Sequence, residues 1–310
     1  MPRDDDVTGF TRREALRLLL AAGATLAVGR VAAAPTDRQL MRPIPKTGEP
    51  IPAVGLGSSQ TFDVGQGASE RAGPREVLKL FAEHGGRVVD SSPMYGESEG
   101  VIGDLVQELG LGNKLFLASK VWTRGREDGI RQMEQSFRRM RTTRMDLMQI
   151  HNLLDWQTHF KTLRAWKEQG RLRYIGITHY TESAYADLAR VIETEDVDFV
   201  QLNYSIIARE AEKRLLPLAR ERRVGVIVNR PFEKSALFDK VRGKQLPAWA
   251  KDFDCASWAQ FFLKFILSHP AVTCVIPATA KPKHLLDNMQ AGLGKLPDAA
   301  TREKMAQYLR

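Results

Sequence analysis

The chain has 310 residues, 43% hydrophobic and 27% charged, enough apolar matter for a large core and far too much for global disorder. Lys and Arg number 46 against 37 Asp and Glu, a net charge of +9. No basic run is interleaved with aromatics, so the surplus fits a solvated surface serving an anionic small molecule, and nucleic acid is not an expected partner.

The first 34 residues read as an export signal and not as part of the fold. Arg12-Arg13 in a charged region precede an apolar stretch at 18–28 and then Ala32-Ala33-Ala34, the order of a leader with a small-residue cleavage site. The paired arginines resemble the twin-arginine type. That implies the twin-arginine export machinery as a partner and a periplasmic or exported product folded over 35–310. The apolar run is too short to span a bilayer, so no stable membrane anchor is expected after processing.

Residues 42–53 carry Pro43, Pro45, Pro50 and Pro52 around Lys46-Thr-Gly48, which predicts a small hairpin flap. A regular alternation follows. Short runs rich in Val, Ile and Leu occur at 54–58, 87–90, 115–121, 145–151, 174–178, 199–204, 224–229 and 272–277; apolar on both faces, they suit a parallel sheet covered on both sides. Helical patterns lie between them. At 98–109 the apolar face is Val101, Ile102, Leu105, Val106 and Leu109. At 126–142 Ile130, Met133, Phe137 and Met140 step by three and four, and at 255–268 Trp258, Phe261, Phe262, Phe265 and Ile266 make a wide stripe. Gly85-Gly86, Gly170 and Gly225 read as helix exits. Cys255 opens the last of these patterns and Cys274 lies in a strand; without metal-ligand spacing, both read as buried free thiols.

Eight strands alternating with eight helices predict an α/β fold, a (β/α)₈ TIM barrel. An open doubly wound sheet would want a glycine fingerprint at its first turn, and Gly55-Leu-Gly57 lacks the third glycine. The connection at 232–254, between the seventh strand and its helix, sits where a lid would be.

In such a barrel the reactive groups stand at the carboxyl ends of the strands. Asp90 ends the second strand, Lys120 the third and His151 the fourth, with Tyr95 just beyond the second. A phenol with an ordinary pKa near 10 is a slow proton donor. A neighbouring ammonium stabilises its phenolate, and a buried ammonium needs a carboxylate. Asp90, Lys120 and Tyr95 would form a relay in which the phenol protonates a developing alkoxide, with His151 holding the carbonyl oxygen. The missing reductant calls for a hydride-carrying cofactor.

These residues resemble the aldo-keto reductase superfamily over about 42–296. The likeness is carried by Asp90-Ser-Ser-Pro-Met-Tyr95-Gly, Ser119-Lys120-Val, Gln149-Ile-His151-Asn, Tyr174-Ile-Gly-Ile-Thr-His179, Val200-Gln201-Leu-Asn203-Tyr and Val275-Ile-Pro-Ala-Thr-Ala-Lys-Pro-Lys-His284. It implies a tetrad at Asp90, Tyr95, Lys120 and His151, and NADPH-dependent reduction of a small-molecule aldehyde or ketone. Gln201 matches the residue that holds the nicotinamide carboxamide. Thr178 and His179 stand where the family has Ser-Asn, and Asn229 and Arg230 where many members have a Tyr-Ser pair whose tyrosine stacks on the nicotinamide. Asparagine cannot stack so, which leaves the plane of Arg230 for that place. Gly57 and Ser58 after the first strand and Asn288 in the eighth helix complete the expected nucleotide contacts.

Thr279, Lys281, Lys283 and His284 precede or open the eighth helix, with Pro282 in its first turn. Free N–H groups there favour a phosphate, and the basic side chains favour NADPH over NADH through its 2′-phosphate. Trp122, Asn152 and Trp156 are the expected substrate pocket. A rival reading is a nicotinamide-nucleotide-binding sensor or partner subunit with vestigial reductase activity.

Overall fold

The computed structural model describes residues 38–309; the export-signal reading lies outside the described residues. The chain begins with an antiparallel hairpin, β1 (Met41–Pro43) and β2 (Pro50–Pro52), paired Met41 to Pro52 and Pro43 to Pro50. Eight parallel strands follow: β3 (Leu56–Gly57), β4 (Val88–Asp90), β5 (Phe116–Val121), β6 (Met145–His151), β7 (Leu172–Thr178), β8 (Phe199–Asn203), β9 (Gly225–Asn229) and β10 (Val272–Val275). They pair strictly in sequence order. Parallel bridges from Val54 to Val275 and from Gly57 to Ala278 bring the first strand round to the last. The expected barrel is therefore present. Gly57 permits the closure, because a Cβ there would lie 2.8 Å from the Ile276 carbonyl oxygen.

The outer layer is α1 (Ala68–Glu83), α2 (Ser98–Glu108), α3 (Arg126–Arg139), α4 (Trp156–Glu168), α5 (Tyr185–Thr194), α6 (Leu215–Glu221), the short α7 (Ala236–Lys240), α8 (Trp258–Leu267) and α9 (Pro282–Gln290), with α10 (Ala299–Tyr308) at the end. Among the described residues no helix is long and apolar enough to cross a membrane.

Alternation along each strand separates two cores. Outward residues such as Leu117, Val121, Met148 and Ile150 pack under the helices, while Val88, Phe116, Leu147, Tyr174, Phe199 and Ile227 fill the barrel itself. Ile44 and Ile51 of the hairpin join that inner cluster with no exposed surface. Each such side chain contributes about 1.5–3 kcal/mol, so the flap is a plug that seals the amino-terminal end. Towards the carboxyl end the inner layer turns polar, through Asp90, Lys120, Gln149, His151, Thr178 and Gln201, all buried.

Three local expectations need correction. Gly225 is not a helix exit but the first residue of β9, where a Cβ would lie 2.6 Å from the Phe199 ring; the left-handed residue after α6 is Arg223 (φ 56°). The 232–254 connection is not a bare loop but holds α7 flanked by two 3₁₀ turns. Cys255 lies outside α8, which starts after the N-cap Ser257. Both cysteines are buried and free.

Candidate active site

Backbone strain is concentrated at one end of the barrel, which holds eight of the eleven positive-φ residues other than glycine among the described residues. Gln60, Asn152, Leu153, Asp155, Arg230, Glu233, Lys234 and Ser235 all have positive φ without being glycine, and all follow the carboxyl ends of β3, β6 or β9. Such conformations cost free energy and collect at functional sites. Within this rim lies a cavity of about 610 Å³, the size of an ordinary small-molecule site.

Below its floor sits the ion pair. Asp90 closes β4 and Lys120 points inward from β5, since Ala118, the inward residue before it, stands in register with Asp90. Lys120 Nζ donates to Asp90 Oδ2 and to the Ser91 carbonyl oxygen, both at 2.6 Å. Burial works against the ammonium, but Asp90 and Tyr95 outweigh it and hold the lysine above its ordinary pKa. The other carboxylate oxygen, Asp90 Oδ1, accepts from Gln149 Nε2 (3.0 Å) and Gln201 Nε2 (2.9 Å). A buried carboxylate so surrounded is fully satisfied.

Tyr95 lines the cavity above the pair, and Lys120 Nζ lies 5.1 Å from its ring centre. Burial raises the phenol's pKa; Lys120 and Arg230 pull it down and Asp90 pushes it up, so the net direction is upward. At neutral pH the phenol therefore carries its proton. His151 ends β6, meets the Tyr95 ring edge-on (centroids 6.1 Å, 89°) and lines the same cavity. Burial, then the charge of Lys120, then His179 drive its pKa down to about 3. The imidazole is neutral.

Fifteen further residues named from the sequence divide between the cavity wall and elsewhere. Gly57, Ser58, Trp122, Asn152, Thr178, Gln201, Asn229 and Arg230 line it with Tyr95 and His151; Trp156 and His179 do not. Trp156 packs on Phe160 (5.8 Å). His179 Nδ1 accepts from the backbone N–H of Tyr180 (3.1 Å) and Thr181 (3.3 Å), capping its own loop. Gln201 is engaged on both ends: Nε2 bonds Asp90 and Gln149, while Oε1 accepts from Thr178 (3.1 Å) and Asn229 (3.4 Å). Thr279, Lys281, Lys283, His284 and Asn288 also lie outside this cavity's wall. Thr279 Oγ1 accepts from the Lys281 N–H (3.0 Å) at the start of α9, where Lys281, Lys283 and His284 are exposed.

Residues missed in the sequence belong here as well. Gln149 shares the inward face of β6 with His151, two positions away, and period-two alternation could have flagged it. Ser92 Oγ lies 3.1 Å from His151 Nδ1. Tyr180 lines the cavity and carries the Arg230 guanidinium 3.8 Å from its ring centre.

The model of the Aldo/keto reductase family matches residues 53–303. The chain belongs to that family. Among its relatives, methylglyoxal reductase YeaE of Escherichia coli K12 is 29% identical over 252 residues, covering 77% of this chain and 84% of that one. Glyoxal reductase of Bacillus subtilis is 26% identical over 223 residues, covering 69% and 75%. A Klebsiella pneumoniae aldo/keto reductase solved in complex with NADP and acetate superposes with a TM-score of 0.70 at 22% identity, over 84% of this chain and 93% of that one. The barrel is thus the fold of this aldo-keto reductase, and its oxidoreductase class follows from the family.

Proposed function

We propose that this aldo-keto reductase uses NADPH to reduce a small aldehyde or ketone to the alcohol, with Tyr95 as proton donor. The observation that carries the reading is the ammonium of Lys120, anchored to Asp90 and Ser91 at 2.6 Å and held 5.1 Å from the Tyr95 ring centre at the cavity floor.

The residues present suit such a cofactor. Asn152 Oδ1 and Asn229 Oδ1, on cavity-lining residues, are buried without a hydrogen-bond partner among the described residues, and acceptors of this kind match an amide donor such as a carboxamide. Arg230 and Lys234 are the charged residues of the wall, both cationic, as an anionic nucleotide requires. Arg230 lies with its guanidinium 3.8 Å from the Tyr180 ring centre, and its plane would take the place of a stacking tyrosine. Lys281, Lys283 and His284 at the exposed start of α9 would take the 2′-phosphate.

Bound NADPH would supply the hydride; the chain supplies the rest. His151 orients the carbonyl oxygen as a neutral donor. Tyr95 passes its proton to that oxygen as negative charge develops there, and Lys120 stabilises the phenolate left behind. Asp90 keeps the buried lysine charged. Methylglyoxal and glyoxal, named for the two relatives, are the first substrates to try. Purified protein should oxidise NADPH in the presence of one of them, and Tyr95→Phe should lower turnover about 10²–10⁴-fold while still binding NADPH. Undiminished turnover in that variant would refute Tyr95 as donor.

The second reading, a nucleotide-binding sensor or partner subunit, draws on Gln201, whose amide is already taken up by Asp90, Gln149, Thr178 and Asn229. Tight NADPH binding without turnover across an aldehyde panel would favour it. Export through the twin-arginine route is proposed from Arg12-Arg13, the apolar stretch at 18–28 and Ala32-Ala33-Ala34; the protein should reach the periplasm, and Arg12→Lys with Arg13→Lys should keep it inside.

A further inference from the structure

We propose that Ser92 is a positioning residue that fixes His151 as its Nε2–H tautomer. The inference rests on the reductase reading only for its catalytic consequence; the tautomer itself follows from hydrogen-bond bookkeeping.

Ser92 is fully buried, two residues beyond Asp90 on the turn that leads to Tyr95. Its Oγ has two partners. The Met94 N–H reaches it at 3.3 Å and can only donate; His151 Nδ1 lies 3.1 Å away and can do either. If Nδ1 carried the ring proton, both contacts would be donors to Oγ. The serine hydrogen would then be sealed in the protein with no acceptor among the described residues, a buried donor left unsatisfied. If Ser92 donates to Nδ1 instead, every group at this junction is satisfied. A neutral imidazole has one donor and one acceptor nitrogen, so Nε2 then bears the hydrogen. His151 lines the cavity, so its free donor is the one that serves a carbonyl oxygen. In the opposite tautomer Nε2 would be a bare lone pair and would repel that oxygen.

Ser92 touches neither the reacting atoms nor the Lys120 ammonium, whose two bonds go to Asp90 and Ser91. Its effect passes through His151.

The test is ring-nitrogen NMR on protein labelled with ¹⁵N-histidine. The chain has six histidines, and loss of one set of signals in His151→Asn assigns the resonance. Wild-type protein should show one neutral Nε2–H form. Ser92→Ala should show a mixture or the Nδ1–H form, and Ser92→Thr, which keeps the hydroxyl, should restore the wild-type pattern. In parallel, kcat on a small aldehyde should fall roughly tenfold in Ser92→Ala with NADPH affinity unchanged, because one orienting bond of the acid–base machinery is lost. An Nδ1–H wild type overturns the assignment with no variant needed, so it can fail even where Ser92→Ala does not fold. A Ser92→Ala spectrum matching wild type overturns it too. If the tautomer behaves as expected but no carbonyl is reduced, the Ser92 assignment is supported and the reductase reading is the one that falls.

Discussion

Two tyrosines inside this barrel each sit beside a carboxylate and a cation, one at each end, and they are wired in opposite order. At the plugged end, Tyr174 Oη donates to Glu49 Oε2 at 2.6 Å, and Arg173, paired with the same Glu49, also reaches Asp146 at 2.7 Å. Burial and then Glu49 raise the Tyr174 pKa. Its proton is locked into the carboxylate. At the open end the lysine stands between: Asp90 is taken up by Lys120, Gln149 and Gln201, and the Tyr95 hydroxyl has no acceptor among the described residues. The same three chemical groups make a staple in one place and, under the proposed reading, a loaded proton donor in the other. What separates them is whether the carboxylate faces the phenol or the cation.

The strongest way to break this contrast is to remove both hydroxyls in turn. Tyr95→Phe should cost about 10²–10⁴-fold in kcat, the range of a general acid, with little change in Tm. Tyr174→Phe should leave kcat near wild type and cost about 1 kcal/mol of stability, a single hydrogen bond in a network that reaches solvent. Comparable kcat losses in both variants would erase the distinction.

Lys120→Met comes next. It strands a buried carboxylate, so unfolding stability should fall by about 3–5 kcal/mol together with activity. Asp90→Asn added to Lys120→Met should recover part of the stability and none of the turnover, as chemical denaturation and NADPH assays can show.

His151 sharpens the contrast through pH. Its folded pKa is about 3 against an ordinary 6.5, held there by burial and by Lys120 and His179. The folded state therefore binds fewer protons than the unfolded one between those values, and stability should decline as pH falls from 6.5 towards 3. His151→Asn should flatten that decline, and the wild-type rate profile should show no ionisation near 6.5. A kcat step at that pH would contradict a neutral imidazole.

The smallest effect concerns Glu99, buried behind the site, with Ser119 donating to Oε1 at 2.5 Å and Oε2 unpaired among the described residues. Burial raises its pKa above the ordinary 4.5. Raised in the folded state, it favours folding on the acid side and loses that advantage as pH climbs through the shifted value. Glu99→Gln should gain about 1 kcal/mol at pH 8 and little at pH 4, read from Tm at the two pH values.

The barrel and the meeting of Asp90, Tyr95, Lys120 and His151 at one mouth were legible in the linear pattern for one reason. In a (β/α)₈ barrel the strand order follows the chain, side chains alternate with period two, and carboxyl ends collect at one mouth. Asp90, Lys120 and His151 could thus be placed without coordinates. Gln149 and Gln201 reaching one oxygen of Asp90, Ser92 beneath His151 and Arg230 on Tyr180 were not readable, because each joins residues whose meeting depends on barrel shear and loop course. The wall of the cavity was decided there too: it takes in Asn229 and Asn152 and leaves out Trp156 and His179, whose side chains turn to Phe160 and to a loop cap. Local composition dictated which groups stand at the mouth. Only the closed sheet decided which of them face each other, since a hydrogen bond forms across space and leaves no period in the chain.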